Sequence, residues 1–582
     1  MSEPRPPRPG SASRRPRRVA GRVDPRGRLR SLGVAVVAAL LPVGLTACSA
    51  PDEQTPPAAT SPTHTPEAGD PVVVGALPRP GRFDPTDTQD PGTARIADLL
   101  QRGLFRYDTK GKAIPEVATA VETTDHRVYQ VTLAQGWRFS DGEAVTADSF
   151  VDAWNRLADP TRPRRQRDLL APVHGFVPVD PAAAPTRAAA PPGLPAGRSP
   201  GLSGLTVTGP HTFTITLTHT HPGFEQRLGD VALAPLPDVA FTDPDGFAHR
   251  PVGNGPYLLE GTWNAGDTLT LKPNRAYTAG DPALNPGLEF RTYTDPAVAL
   301  RDVREGRLDV LDVLPTEALP TYLDTFGTHA VDQPVGRATG IAFPVTREPW
   351  TGPAGSARRT AISMALDRET LGREVYGRTR DVATDLAPPV VEGHYQDLCG
   401  AACRLDADAA QDLLEGAGGL PGGLTIAYAA DHDEGPAVTA ICADLQTHLR
   451  IACTGRAYPS SEALRQAVAT GTETGPRLTT WQMAFPLLEN FLTPRFASGA
   501  MTNDTGYDDP TTDVALARAV TLDGTERVAR LQAAERRILT AMPVVPLFDV
   551  HVAAVSSPGV TDVRYDVFGD PAYTQITRPR EK

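Results

Sequence analysis

Apolar and polar positions alternate in some stretches of this chain, and elsewhere apolar positions recur three or four apart; the first pattern predicts strands and the second helices. Tyr129, Val131 and Leu133 share one face of a two-residue period, and Thr212 to Leu217 alternates in the same way, so both read as half-buried strands. Val72 to Ala76 is continuously apolar or small and reads as a buried strand. After the first alternating segment, Ser140-Asp-Gly-Glu143 predicts a turn, because Asp141 can bond its own backbone and Gly142 tolerates positive φ. Thr146 then sits where a helix N-cap belongs, with Asp148 in the first turn. Phe150, Val151, Trp154 and Leu157 recur at helical spacing, and Asp159-Pro160 stops the helix.

The same reading predicts helices at Thr93 to Gln101, Asp295 to Glu305 and Arg527 to Leu539, and short strands at Tyr257 to Glu260 and Thr268 to Lys272. Ala361, Ile362, Ala365 and Leu366 form one apolar stripe of a further helix. Helices at Ala407 to Leu414 and Ala437 to Leu449 alternate with a strand at Leu424 to Tyr428, the outline of an α/β lobe. Asp180 to Gly204 is dominated by Ala, Pro and Gly and reads as an exposed loop or insertion.

The N-terminus follows different rules. Ten arginines precede Ser31 against only Glu3 and Asp24, and Leu32 to Ala47 is apolar but interrupted by Gly33, Pro42 and Gly44, too short and broken for a membrane span. A basic run, a short apolar run and small residues before Cys48 describe an export signal over residues 1–48. Residues 49–70 hold Pro, Thr, Ala and acids with little to bury, and read as a disordered tether. The formal charge of the chain is -12, and residues 1–47 carry +8, so removing them leaves a body near -20. Such an acidic body argues against nucleic acid or an anionic membrane surface as a partner. Four further cysteines fall in two close pairs, Cys399 with Cys403 and Cys442 with Cys453. Local pairing is the simplest of the three possible disulfide connectivities; a four-thiolate zinc site is the alternative, and the wide second spacing disfavours it.

No pattern compels an enzyme. HExxH, the G-x-S-x-G elbow and the phosphate-binding G-x-x-x-x-G-K-[ST] loop are all missing, so no catalytic residue and no cofactor is assigned. Asp141 and Glu143 are explained by their turn. His219-Thr-His221 would set two imidazoles on one side of a strand, a feature that only a further converging ligand would turn into a metal site.

Phe139-Ser-Asp-Gly-Glu-Ala-Val-Thr-Ala-Asp-Ser-Phe150 resembles the F-x-D-G-x-x-[VL]-T-A-x-D-[FV] run of the extracellular solute-binding proteins of the peptide/nickel class of ABC importers, with Ser149 where that family usually has Asp. Gly103-Leu-Phe-Arg-Tyr107, Pro251-Val-Gly-Asn-Gly-Pro-Tyr257, Asn274 to Tyr277, Gly306 to Asp309, Arg358 to Arg368 and Pro543 to Phe548 extend the resemblance from about Val72 to Phe568. Asn254 stands where the family usually has a hydroxyl residue, and Leu45-Thr-Ala-Cys48 is similar to a bacterial lipobox, which makes Cys48 the lipidation candidate.

The resemblance implies a two-lobed, hinged α/β fold of the periplasmic-binding type. It assigns residues 71–290 to an N-terminal lobe with an extra subdomain at about 110–205, residues 291–548 to a C-terminal lobe, and residues 549–582 to a return, with crossovers near Tyr293 and Val550. It implies a monomer, lipid-anchored to the outer face of the cytoplasmic membrane, that captures oligopeptides or peptide-like solutes for an ABC permease; nickel or a metal chelate, a sensor role or a hydrolase on the same fold are the alternatives.

The ligand residues implied are Thr339 and Phe343 on one strand, Arg465, and Trp481, Phe485, Glu489 and Asn490 in a stretch similar to the family's W-x-x-D-x-x-x-P-x-x-F-L segment. The acid that pairs with a peptide's amino group in many relatives falls at Ala484 or Phe485, and the nearest acid is Glu489. Losing a buried partner for an ammonium costs several kcal/mol, so blocked or modified peptides, or a different solute, are expected.

Overall fold

The computed structural model describes residues 69–76, 81–88, 90–162, 164–179, 199, 201–263 and 268–579. Cys48, the export signal and nearly all of the tether lie outside the described residues, as does most of the Ala/Pro/Gly-rich segment after Val179. No helix among the described residues is long and apolar enough to cross a membrane.

Among the described residues, one mixed sheet of eleven strands forms the framework. From one edge it runs Cys453–Tyr458, Leu424–Ala429, Arg477–Gln482, Ala330–Ala342, Val544–Ser556, Val310–Leu311, Val72–Ala76, Leu288–Thr292, Leu269–Pro273 and Tyr257–Leu259, and Arg380–Val382 pairs with Val544–Ser556 off this path. Val72–Ala76 shows why its run is continuously apolar. Val72 and Val74 join a core with Tyr257, Leu288 and Phe290, whereas Val73 faces the other way into a core with Tyr293, Val303 and Leu308. A strand covered on both faces needs no polar alternation.

The two thirteen-residue strands Ala330–Ala342 and Val544–Ser556 pair antiparallel along most of their length and pass between the lobes. On one side of them Ile341, Ile362, Leu366, Ile426, Ile441, Phe491 and Ile538 build the core of the C-terminal lobe. The expected first crossover near Tyr293 is corrected: Tyr293, Leu300, Val303 and Tyr322 pack with Val73 and Val555, so the chain stays in the N-terminal lobe until Ala330–Ala342.

The stretch Trp137 to Pro160 folds as read. Val128–Leu133 is a strand with burial alternating at every residue, the Asp141 carboxylate accepts from Glu143 N at 3.0 Å, and the helix runs Ala147–Ala158. Ser149 completes a capping box, its hydroxyl accepting from Thr146 N at 3.1 Å, so the replacement of the usual Asp keeps the cap. Trp154 is fully buried and its indole N–H donates to Leu233 O at 2.9 Å. This helix backs a four-stranded antiparallel sheet of Ala118–Glu122, Val128–Leu133, Thr212–Thr216 and Leu205–Gly209, which ends at Thr216 and not near 205. The Pro251 to Tyr257 run explains its own residues: a Cβ on Gly253 would stand 2.0 Å from Leu100 O. Buried Asn254 clamps the main chain of Arg102 through its N–H at 2.9 Å and its carbonyl at 3.0 Å.

Disulfides join Cys399 to Cys403 and Cys442 to Cys453, with Cα atoms 5.6 and 5.0 Å apart. The second ties the helix Gly435–Leu449 to the edge strand Cys453–Tyr458.

Candidate functional site

A cleft of about 3300 Å³ opens along the crossover strands and is lined from both lobes. Its main polypeptide wall is Arg477–Gln482 and the residues that follow. This strand pairs with Ala330–Ala342 from Gln482 to Arg477, but with Leu424–Ala429 only through the pair Arg477 and Ala427. From Leu478 to Phe485 every residue lines the cleft, and no other strand among the described residues covers the second edge. Unpaired N–H and C=O groups along a strand edge are a template for an added strand.

Of the residues expected to contact ligand, Thr339, Arg465 and Trp481 stand at the cleft surface. The Thr339 hydroxyl donates to Phe548 O at 3.3 Å, and Arg465 pairs with Glu462. Trp481 is half-buried with the Arg495 guanidinium 5.5 Å from its ring centre; the indole N–H and Arg495 Nη1 are both buried without a hydrogen-bond partner among the described residues. Phe343 is corrected: it is fully buried in the C-terminal core against Trp350, ring centres 4.8 Å apart, and does not line the cleft. Its strand ends in a core position, so an aromatic replaces the polar residue expected of a ligand contact.

Glu489 is corrected as well. It borders the cleft but is only 1% exposed, and its carboxylate takes a charge pair from Arg227 and a 3.0 Å bond from His221 Nε2. Burial opposes its ionisation, but the charges and hydrogen bonds of His221 and Arg227 prevail and hold the carboxyl well below its usual range. Arg227 lies over the ring of Phe485 at 4.9 Å, which together with Leu487 joins the core beneath the four-stranded sheet. Glu489 is thereby committed to holding the helix Leu488–Phe496 against the N-terminal lobe and is not free for a solute ammonium. Asn490 is buried and accepts from Ala484 N at 2.9 Å, shaping the main chain where the family's acid would fall. The hydroxyl of Tyr107, donating to Gln226 O at 2.5 Å, lies within 3.4 Å of Ala484 O. The nearby cleft residue Asp230 accepts from Ala232 N and is pushed up to about 6 by burial.

The rings of His219 and His221 do lie together, 6.3 Å apart and nearly parallel, yet His221 is turned to Glu489. No group of three or more His, Cys, Asp or Glu side chains among the described residues is placed to hold a metal ion.

Sequence reasoning missed Arg337, Arg380 and Arg495, which also line the cleft. Arg337 breaks the apolar run of its strand two positions before Thr339, a signal in plain sight. Arg380 and Arg495 gave none, because they reach the cleft from a three-residue strand and from the end of a helix.

A model described as bacterial extracellular solute-binding proteins, family 5 Middle, matches residues 112–503. The periplasmic murein peptide-binding protein MppA of Escherichia coli (strain K12) is 26% identical over 322 residues, 54% of this chain and 56% of that protein. The chain thus spans little more than half the length of the curated relatives it matches first. The solved structure of the Escherichia coli murein tripeptide binding protein MppA superposes with a TM-score of 0.75 at 21% identity, covering 88% of this chain and 98% of that one. The crystal structure of Haemophilus influenzae OppA in complex with RPPGFSPFR gives 0.75 at 20% identity, covering 88% and 100%. At such identities the superpositions establish the two-lobed fold.

Proposed function

The chain belongs to the bacterial extracellular solute-binding proteins of family 5, and from that premise we propose that it captures oligopeptides or peptide-like solutes outside the cytoplasm and delivers them to an ABC permease. The observation that carries the peptide reading is the open edge of the strand from Leu478 to Gln482 along the cleft. A peptide backbone can add there as a strand, gaining affinity from main-chain hydrogen bonds while side chains enter a roomy cleft. Similarity to a murein peptide-binding protein and an oligopeptide-binding protein supports the same class. Closure of the lobes about the two crossover strands would bury the solute.

In this reading Cys48 carries a lipid, the segment after it is a tether, and the protein works as a monomer at the outer face of the cytoplasmic membrane. Its role is binding, without catalysis. Thr339, Trp481 and Arg465 are the proposed solute contacts among the residues singled out from sequence.

Thermal unfolding of the full-length chain in detergent, against pools of free and N-acetylated peptides and against nickel salts, tests the reading. A ligand at a hundred times its dissociation constant stabilises by about 2.7 kcal/mol. Stabilisation by peptides is the expected result, larger for N-acetylated pools because Ala484 and the engaged Glu489 offer no partner to an ammonium. Stabilisation by nickel alone, or by nothing, would overturn it. Incorporation of labelled fatty acid, abolished by Cys48→Ser, tests the anchor.

A further inference from the structure

Among the described residues, two guanidinium groups on the floor of the cleft have no carboxylate within ion-pair distance. Arg380 lies opposite Val550, Phe548 lies opposite Thr339, and Arg337 is two positions before Thr339, so the register sets Arg337 and Arg380 on one face of the crossover sheet. Both line the cleft. Arg337 Nε donates to the Gln482 side-chain carbonyl at 2.6 Å. Arg380 donates to the carbonyls of Thr379 at 2.8 Å and His551 at 3.3 Å, and lies over the ring of Tyr376 at 4.9 Å. These partners are neutral, and among the described residues neither arginine has an ion-pair partner.

The carboxylates around them are already engaged. Arg95 holds both Asp312 and Asp570, at 2.5 and 2.6 Å. His551 holds both Asp332 and Asp381, at 2.8 and 3.0 Å. Asp566 accepts from the amides of Phe568 and Asp570 at 2.8 and 3.0 Å. Glu434 accepts from Ala429 N and is pushed up to about 7 by burial. Burial, then the charges of Arg380 and Arg95, lower Arg337 to about 10, and burial lowers Arg380 also; both stay cationic at neutral pH. Two desolvated cations that face each other across a strand repel, and a shared anion relieves the repulsion and the lost hydration together. Guanidinium groups suit a carboxylate because each can donate two parallel N–H bonds to its oxygens.

We propose that Arg337 and Arg380 form an anion-binding subsite on the cleft floor that takes a carboxylate of the bound solute, making this protein selective for acidic peptides. The proposal rests on the peptide reading above and adds the charge of the solute to it. The carboxylate is a side chain of the solute, since capture of the C-terminus, which acidic and neutral peptides share, gives no preference for acidic peptides.

The test uses the full-length chain in detergent and N-acetylated tetrapeptide mixtures, so that the ammonium does not vary. Four mixtures carry one Glu or one Gln per peptide, each as the C-terminal acid or the C-terminal amide, and affinities are read by calorimetry. The Glu amide mixture should bind at least tenfold tighter than the Gln amide mixture if a side chain occupies the subsite. A preference for the Gln acid over the Gln amide with none for Glu over Gln would assign the C-terminus to the arginines and overturn the acidic-peptide selectivity. Arg337→Gln and Arg380→Gln should each remove the preference while leaving the Gln amide mixture within threefold of its original affinity, and Arg337→Lys should restore part of it. Equal affinity of the wild-type chain for all four mixtures would overturn the subsite and leave the peptide reading standing. Binding of none of them would overturn the peptide reading, and the acidic-peptide selectivity with it.

Discussion

Two charge sites border the same cleft, one buried and one half-buried, and differ in how their charges are met. At the lobe contact, Glu489 has Arg227 and His221 around it, and every charge is answered by the protein. On the floor, Arg337 and Arg380 have, among the described residues, only neutral hydrogen-bond partners. The comparison teaches how to read a buried charge: one that the fold neutralises holds elements together, whereas one left open in a cleft awaits a counterion from outside. Proximity to the cleft does not distinguish the two, since Glu489 and Arg337 both line it.

The largest effect that would break this comparison is at the lobe contact. Glu489→Ala leaves Arg227 buried without a counterion and should destabilise by about 3–5 kcal/mol, read as a lowered midpoint in urea. The double change Glu489→Leu with Arg227→Met should recover most of that loss. If Glu489→Ala instead weakened peptide binding at unchanged stability, the assignment of Glu489 to structure would fail.

A third site sharpens the contrast by pH. Asp385, Asp549 and Glu535 are buried with one imidazole, His394, whose Nδ1 lies 2.9 Å from Asp385. The hydrogen bond to Asp385 raises His394 to about 9, and burial followed by the charge of Asp385 raises Asp549 and Glu535 to about 8. The folded state therefore binds more protons than the unfolded chain from about pH 4 to about pH 9, so stability falls as pH rises through that window. Glu489, held low, works in the opposite sense and loses its contribution only below about pH 4. Stability should thus peak at mildly acidic pH and decline towards pH 9. Asp549→Asn should flatten the decline, and a profile equally steep in that variant would contradict the assignment.

The smallest effect belongs to the floor. Arg337→Gln removes a cation with no counterion and should change stability by no more than about 1 kcal/mol, in either direction. A loss as large as that of Glu489→Ala would mean that Arg337 is structural, and the difference between the two sites would vanish.

Local signals carried most of the architecture. Val72–Ala76, the helix Ala147–Ala158 and its turn were legible because period, cap and stop residues act within a few positions of one another. Ser149 and Asn254 looked like departures from a family pattern, and contacts showed what they do: one completes a capping box and the other clamps a distant main chain. The first crossover was misplaced because Tyr293 to Tyr322 has the same helical rhythm whichever lobe it joins, and only the partners Val73 and Val555 decide.

The site divides in the same way. Trp481, Thr339 and the missing acid at Ala484 were picked out by linear position within the family resemblance, and all three line the cleft. Whether a charge is answered was not readable, because the partner of Glu489 lies 262 residues away at Arg227, and the carboxylates that pass Arg337 by are held by Arg95 and His551. Sequence by itself determined the strands, helices, caps and kind of protein, through interactions of short range. Tertiary structure alone decided which charges are neutralised and which remain for a ligand, because ion pairing depends on distance in space.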